Sequence, residues 1–262
     1  MGMLTGKIAI VTGAGRGIGR AIAEAYLHEG ASVTVTAAHE HAELTDLEQQ
    51  GWSERLFTCL ADVTDPQACE HVVEQTIHHF GPIDILVNNA GRGMKYVSPS
   101  FMSEPSRFWE VDPSTWRMII DTNINGVFYM TRAVVTQMMK QQRAGSIINI
   151  SMNYETMKRR GFSPYGPSKA ALESASAIWA QDLAEAQIRV NVLLPGGATN
   201  TGMLPAETPE QLRTRLIQPA IMKAPAVFLA SDASQALTGR RLIAAEWNEQ
   251  YPSGKEITEG LG

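Results

Sequence analysis

Short runs of β-branched and aliphatic residues alternate along the chain with longer stretches in which apolar positions recur at helical spacing. The short runs predict strands at Ile8 to Thr12, Ser32 to Thr36, Leu56 to Cys59, Ile83 to Val87, Ser146 to Ser151, Ile188 to Leu193 and Arg241 to Ile243. The longer ones predict helices at Ile18 to His28, Pro66 to Phe80, Ser114 to Gln141, Ser168 to Ala186 and Ala224 to Ser231. Parallel strands joined by helices need right-handed crossovers, so this rhythm predicts an α/β protein with a parallel sheet covered on both faces. No linker-like composition or internal repeat interrupts it, and residues 1–262 read as a single domain.

Composition narrows the function. The chain has 262 residues, 44% hydrophobic and 19% charged, enough apolar material for one sizeable core. A net charge of -5 offers no positive field for a phosphate backbone, so nucleic acid is a poor expectation and a small-molecule partner a better one. Cys59 and Cys69 lack the spacing of a disulfide framework or zinc site. No apolar run is long enough to span a bilayer, and the first residues lead straight into Lys7-Ile8-Ala9-Ile10-Val11 without signal-peptide features. The expectation is a cytoplasmic protein with no membrane partner.

The first chemical signal is Thr12-Gly13-Ala14-Gly15-Arg16-Gly17-Ile18-Gly19, placed where a strand ends and a helix begins. Its glycines allow a tight turn and close backbone approach to a pyrophosphate, whose charge the helix amides and dipole would meet. Alone, such a turn is weak evidence. The strand-turn-helix context strengthens it.

That turn is joined by Asn88-Asn89-Ala90-Gly91, by Tyr165-Gly166-Pro167-Ser168-Lys169, by Asp62-Val63, by Asn123-Ile124-Asn125-Gly126, by Pro195-Gly196 and by Phe228-Leu229-Ala230-Ser231-Asp232. With these motifs in order, nearly the whole chain resembles the short-chain dehydrogenase/reductase family. The resemblance implies a Rossmann-type doubly wound sheet of seven strands, ordered 3-2-1-4-5-6-7. It assigns cofactor contacts to Gly13, Gly15, Arg16, Gly17, Ile18, Gly19, Asp62, Val63, Asn89, Ala90, Gly91, Tyr165, Lys169, Pro195, Gly196 and Thr199. It also implies a homotetramer or homodimer.

The residues themselves support a catalytic reading of Tyr165 and Lys169. Four apart on a helix, they leave the same face, so the ammonium would lower the phenol's pKa and the phenol could exchange a proton with an alkoxide or alcohol. In isolation this spacing usually marks a surface pair. The resemblance makes Tyr165 the acid/base, gives Lys169 a hold on the nicotinamide ribose, and makes Asn123 the holder of a water in a proton relay. An amide satisfying local backbone is the other use open to Asn123.

Three departures from the family stand out. The serine expected thirteen residues before the tyrosine is replaced by Met152; Ser151 lies one position early, and one step along a strand turns a side chain to the opposite face. Asn153, Tyr154 or a water could supply the missing donor, while Met152 reads as apolar pocket wall. Residues 92–113 form an unusually long insertion containing Met94, Tyr96, Phe101, Met102, Phe108 and Trp109, a candidate lid over a bulky apolar substrate or a surface for a second subunit. The tail carries Ala244-Ala245-Glu246-Trp247 where the family often has Val-Asp-Gly-Gly, which puts the usual C-terminal subunit contacts in doubt.

Lys158-Arg159-Arg160 could attract an acidic substrate, although such runs are usually solvated. His71, His78 and His79 suit a polar helix face, no metal pattern is present, and His39 and His41 fall near the expected adenosine ribose. The acid that selects NAD at the end of the second strand is absent: its place is Ala37, followed by Ala38. With Arg16 nearby, NADP(H) is the expected cofactor and NAD(H) the alternative. The expected activity is hydride exchange with a carbonyl or secondary alcohol; a dinucleotide-binding sensor or structural protein is the competing class.

Overall fold

The computed structural model describes residues 2–38, 42–248 and 254–257. Seven parallel strands, β1 (Ile8–Val11), β2 (Ser32–Ala37), β3 (Leu56–Leu60), β4 (Ile85–Asn88), β5 (Gly145–Ile150), β6 (Ile188–Leu194) and β7 (Arg240–Ile243), lie in the order β3-β2-β1-β4-β5-β6-β7. A two-residue strand, β8 (Lys255–Glu256), adds antiparallel to the β7 edge. The helices are α1 (Gly17–His28), α2 (Ala42–Glu48), α3 (Pro66–Phe80), α4 (Pro113–Ile120), α5 (Gly126–Lys140), α6 (Tyr154–Met157), α7 (Tyr165–Asp182), α8 (Glu210–Arg213) and α9 (Lys223–Ala230).

The period of two along each strand divides the core between two faces. Ala9, Val11, Val33 and Val35 pack with Ile22 and Tyr26 of α1, Leu44 and Leu47 of α2 and Leu229 of α9. Ile8, Ile10, Leu86 and Ile147 turn the other way, onto Val72 and Val73 of α3 and Met130 and Val134 of α5. Both faces are therefore apolar, as a doubly wound parallel sheet requires.

Helix starts follow local chemistry. The Asp65 carboxylate accepts from Gln67 N at 2.9 Å with Pro66 in the first turn, and Asp112 accepts from Ser114 N at 2.8 Å with Pro113 behind it. Helix α7 begins at Tyr165, three residues before the expected start, because Pro167 still lies in the first turn, where no N–H is needed. The predicted helix Ser114 to Gln141 is instead α4 and α5 separated by a π-turn at Asp121–Asn125. His71, His78 and His79 sit on the exposed side of α3; His39 and His41 lie outside the described residues. Among the described residues no helix is long and apolar enough to cross a membrane, and no group of three or more His, Cys, Asp or Glu could hold a metal.

Candidate active site and dinucleotide cleft

The carboxyl ends of β1, β4, β5 and β6 open into one cavity of about 580 Å³. Hydrogen bonds lace two of these ends together. Thr12 Oγ1 accepts from Asn89 N at 3.0 Å and Ala90 N at 3.1 Å, and Asn89 Nδ2 donates to the carbonyls of Thr12 and Gly13, both at 2.9 Å. Thr12 thus leaves the strand to serve the turn. Gly13 has φ +62°, and a Cβ there would lie 2.8 Å from Ala90 Cα; at Gly19 a Cβ would come within 2.6 Å of Gly13 O. Only glycine permits this approach.

The turn delivers α1 with Arg16 at the N-cap, and no side chain caps the first amides. A helix N-terminus left open in a cavity is a ready anion site, so the residues present fit the pyrophosphate of a dinucleotide. Gly13, Arg16, Gly17, Ile18, Asp62, Val63, Asn89, Ala90, Gly91, Pro195 and Thr199 line the cavity with Tyr165 and Lys169. Gly15, Gly19 and Gly196 stand behind its wall. Gly15 abuts Glu43, Gly19 abuts Gly13 and Asn89, and the Gly196 carbonyl accepts from Asn153 Nδ2 at 2.9 Å.

Tyr165 and Lys169 leave the first turns of α7 toward the same cavity. Lys169 is buried, and its ammonium donates to Ile150 O at the end of β5, at 2.8 Å. Burial lowers its pKa to about 8, opposed by the nearby Glu173 carboxylate. The Tyr165 hydroxyl faces Met203 Sδ at 3.8 Å, and burial raises the phenol to about 12. The lowering expected of the Lys169 ammonium is not seen: burial sets the shift, upward, and Tyr165 is held protonated, the state of a proton donor.

Asn123 lies on the π-turn and is fully buried. Its Oδ1 accepts from Arg92 N at 2.8 Å, and its Nδ2 donates to Arg92 O at 3.0 Å and Ser168 Oγ at 2.9 Å. Ser168 Oγ in turn donates to Tyr165 O at 2.7 Å. Both amide hydrogens are thus committed to tying the start of the 92–113 segment to the first turn of α7. Such π-turns are often found at functional sites.

The departures resolve into distinct roles. Met152 lines the cavity. Ser151 also lines the cavity, but its hydroxyl is buried without a hydrogen-bond partner, so as it stands it is not offered as a donor. Tyr154 is turned away, donating to Ile257 O at 2.8 Å. Thr156 was not anticipated: it lines the cavity with no side-chain hydrogen bond among the described residues. The role of Arg241, just before the altered tail, also escaped sequence reasoning. Buried on β7, it pairs with Glu173 at 3.1 Å, donates to Met152 O at 2.8 Å and lies 3.9 Å over the Tyr154 ring, which fixes the backbone where the serine is lost.

In the 92–113 segment, Met94, Tyr96, Phe101 and Met102 line the cavity, whereas Phe108 and Trp109 meet edge to face, exposed to solvent. Lys95 Nζ donates to Gly202 O, joining this segment to the one after β6 that carries Met203. Of the basic run, only Arg159 reaches the cavity, its guanidinium 5.2 Å over Phe162.

The short chain dehydrogenase family model matches residues 7–212. The chain is 37% identical over 245 residues to the 3-oxoacyl-[acyl-carrier-protein] reductase FabG of Salmonella typhimurium, covering 90% of this chain and 95% of that protein. It is 38% identical over 246 residues to the Escherichia coli protein of the same name, with the same coverage. Among solved structures, a short-chain type dehydrogenase/reductase from Mycobacterium marinum superposes with a TM-score of 0.78 at 30% identity, covering 92% of this chain and 94% of that one. A glycine turn at an open helix start and a Tyr-x-x-x-Lys pair on one cavity, in a chain matched along most of its length, lead to one conclusion: the protein belongs to the short-chain dehydrogenase/reductase family and is an NAD(P)-dependent oxidoreductase.

Proposed function

We propose that the protein moves a hydride between NADP(H), in preference to NAD(H), and a carbonyl or secondary alcohol on a bulky, largely apolar small molecule. The observation that carries this reading is the Tyr165 hydroxyl and Lys169 opening onto the same cavity as the uncapped start of α1. The dinucleotide supplies the hydride. Gly13, Arg16, Gly17 and Ile18, with the α1 amides, would hold its pyrophosphate, Asp62 and Val63 would border the adenine end, and Asn89 to Gly91, Pro195 and Thr199 would frame the nicotinamide half, with Gly15, Gly19 and Gly196 shaping the wall behind them. Lys169 would take the ribose hydroxyls.

In the reductive direction Tyr165 Oη would give its proton to the carbonyl oxygen, leaving the alcohol and a tyrosinate on the cavity that the Lys169 ammonium also lines. Asn123 holds the relay water on its remaining acceptor capacity, so that the proton returns. A protonated phenol is the state the reductive direction starts from, and the reductase names of the relatives agree with that direction. The substrate lies against Met152, Phe101, Met102 and Phe162, with residues 92–113 as a lid on a single functional domain.

Phe128 on α5 and Ile178 on α7 are exposed and apolar, which favours a homodimer or homotetramer in the cytoplasm. Nucleic acid and membrane have no part in the reading. The test is cofactor oxidation or reduction with a panel of ketones, aldehydes and secondary alcohols of graded size. NADPH-dependent reduction of large ketones is the expected result; binding without turnover across the panel would overturn it.

A further inference from the structure

Arg16 and Glu43 face each other at the adenosine end of the cleft, with Arg16 Nη1 2.9 Å from Glu43 Oε1. Glu43 lies in the first turn of α2 and is held close to the glycine turn, since a Cβ at Gly15 would lie 2.6 Å from Glu43 Cβ. The other side of the guanidinium rests on Gly202, where a Cβ would lie 2.8 Å from Arg16 Nε. Both charged residues line the same cavity as Ala37 and Ala38, the positions that lack the expected acid.

We infer that Glu43 moderates cofactor specificity, by holding Arg16 away from the ribose 2′-phosphate. The inference rests on the dinucleotide reading above. Arg16 is the cation expected to favour a 2′-phosphate, and in this structure its charge is already met by a carboxylate. To reach the phosphate it must give up Glu43. NADH carries no phosphate there and makes no such demand. Glu43 thus moderates the preference for NADPH that Arg16 and Ala37 would otherwise set. A half-exposed ion pair of this kind is worth little to folding, so its removal should be read in cofactor choice and not in stability.

The experiment is titration of NADPH and NADH, followed by nucleotide fluorescence, into the intact wild-type protein, Glu43→Gln, Arg16→Ala and the double variant. Glu43→Gln should tighten NADPH by about fivefold and leave NADH within about twofold. In the Arg16→Ala background the gain should shrink to less than about twofold, because Glu43 then has no cation to hold. Equal changes for both dinucleotides would mean a merely structural pair, and an unchanged or weaker NADPH affinity in Glu43→Gln would overturn the inference. A gain that persists at full size without Arg16 would also overturn it. Failure of the wild type to bind either dinucleotide would refute the cofactor assignment itself, a result distinct from an unmoved ratio. Glu43→Ala, scored alongside for melting temperature, guards against a local folding defect in the glutamine variant.

Discussion

The Lys169 ammonium donates to the carbonyl oxygen of Ile150 at 2.8 Å, binding the helix that carries Tyr165 to the strand end where the family's serine has become methionine. The bond satisfies a charge that burial would otherwise disfavour, and it holds Lys169 on the cavity that Tyr165 also lines.

The protonation states set a pH profile. Reduction needs Tyr165 protonated and Lys169 charged. The phenol, raised to about 12, stays protonated through the working range, while Lys169, lowered to about 8, loses its proton first. Reductive kcat/KM should therefore be level at neutral pH and fall above about pH 8, approaching tenfold for each further unit. A profile flat to pH 10 would contradict the assignment of Lys169, whose ordinary value is 10.5.

Met152 and Asn153 should separate. Asn153 Nδ2 is engaged by Gly196 O, so Asn153→Ala should disturb the Pro195 to Gly196 turn and raise the KM for dinucleotide more than it lowers kcat. Met152→Ser returns a hydroxyl to the cavity wall. It should raise kcat for small carbonyls by about tenfold or more and weaken affinity for large apolar ones. Steady-state kinetics on one small and one large ketone check both; unchanged constants in both variants would sink this account of the wall.

The sheet was legible because its strands are apolar on both faces and its glycine turn falls at a strand end, a local pattern. Helix α2 was not: seven residues with Leu44 and Leu47 as their buried anchors carry too little periodicity to register. The π-turn at Asp121–Asn125 hides inside one continuous amphipathic stretch, and its cause is remote, an Asn123 side chain bonded to the backbone of Arg92. Spacing placed Tyr165 and Lys169 on one face but could not name their partners. Ile150 and Met203 come from segments 19 and 38 residues away. For the same reason Arg241 and Glu43 passed unnoticed, since each acts through a contact that exists only once the chain is folded.

Tyr165→Phe tests most directly whether Tyr165 is the proton donor. The change removes one hydroxyl whose nearest partner is a thioether sulfur, and keeps the ring in place. Reductive kcat should fall by about a hundredfold or more, while dinucleotide affinity measured by fluorescence titration stays within about twofold of wild type. A variant that binds dinucleotide normally and retains most of its kcat would contradict the account.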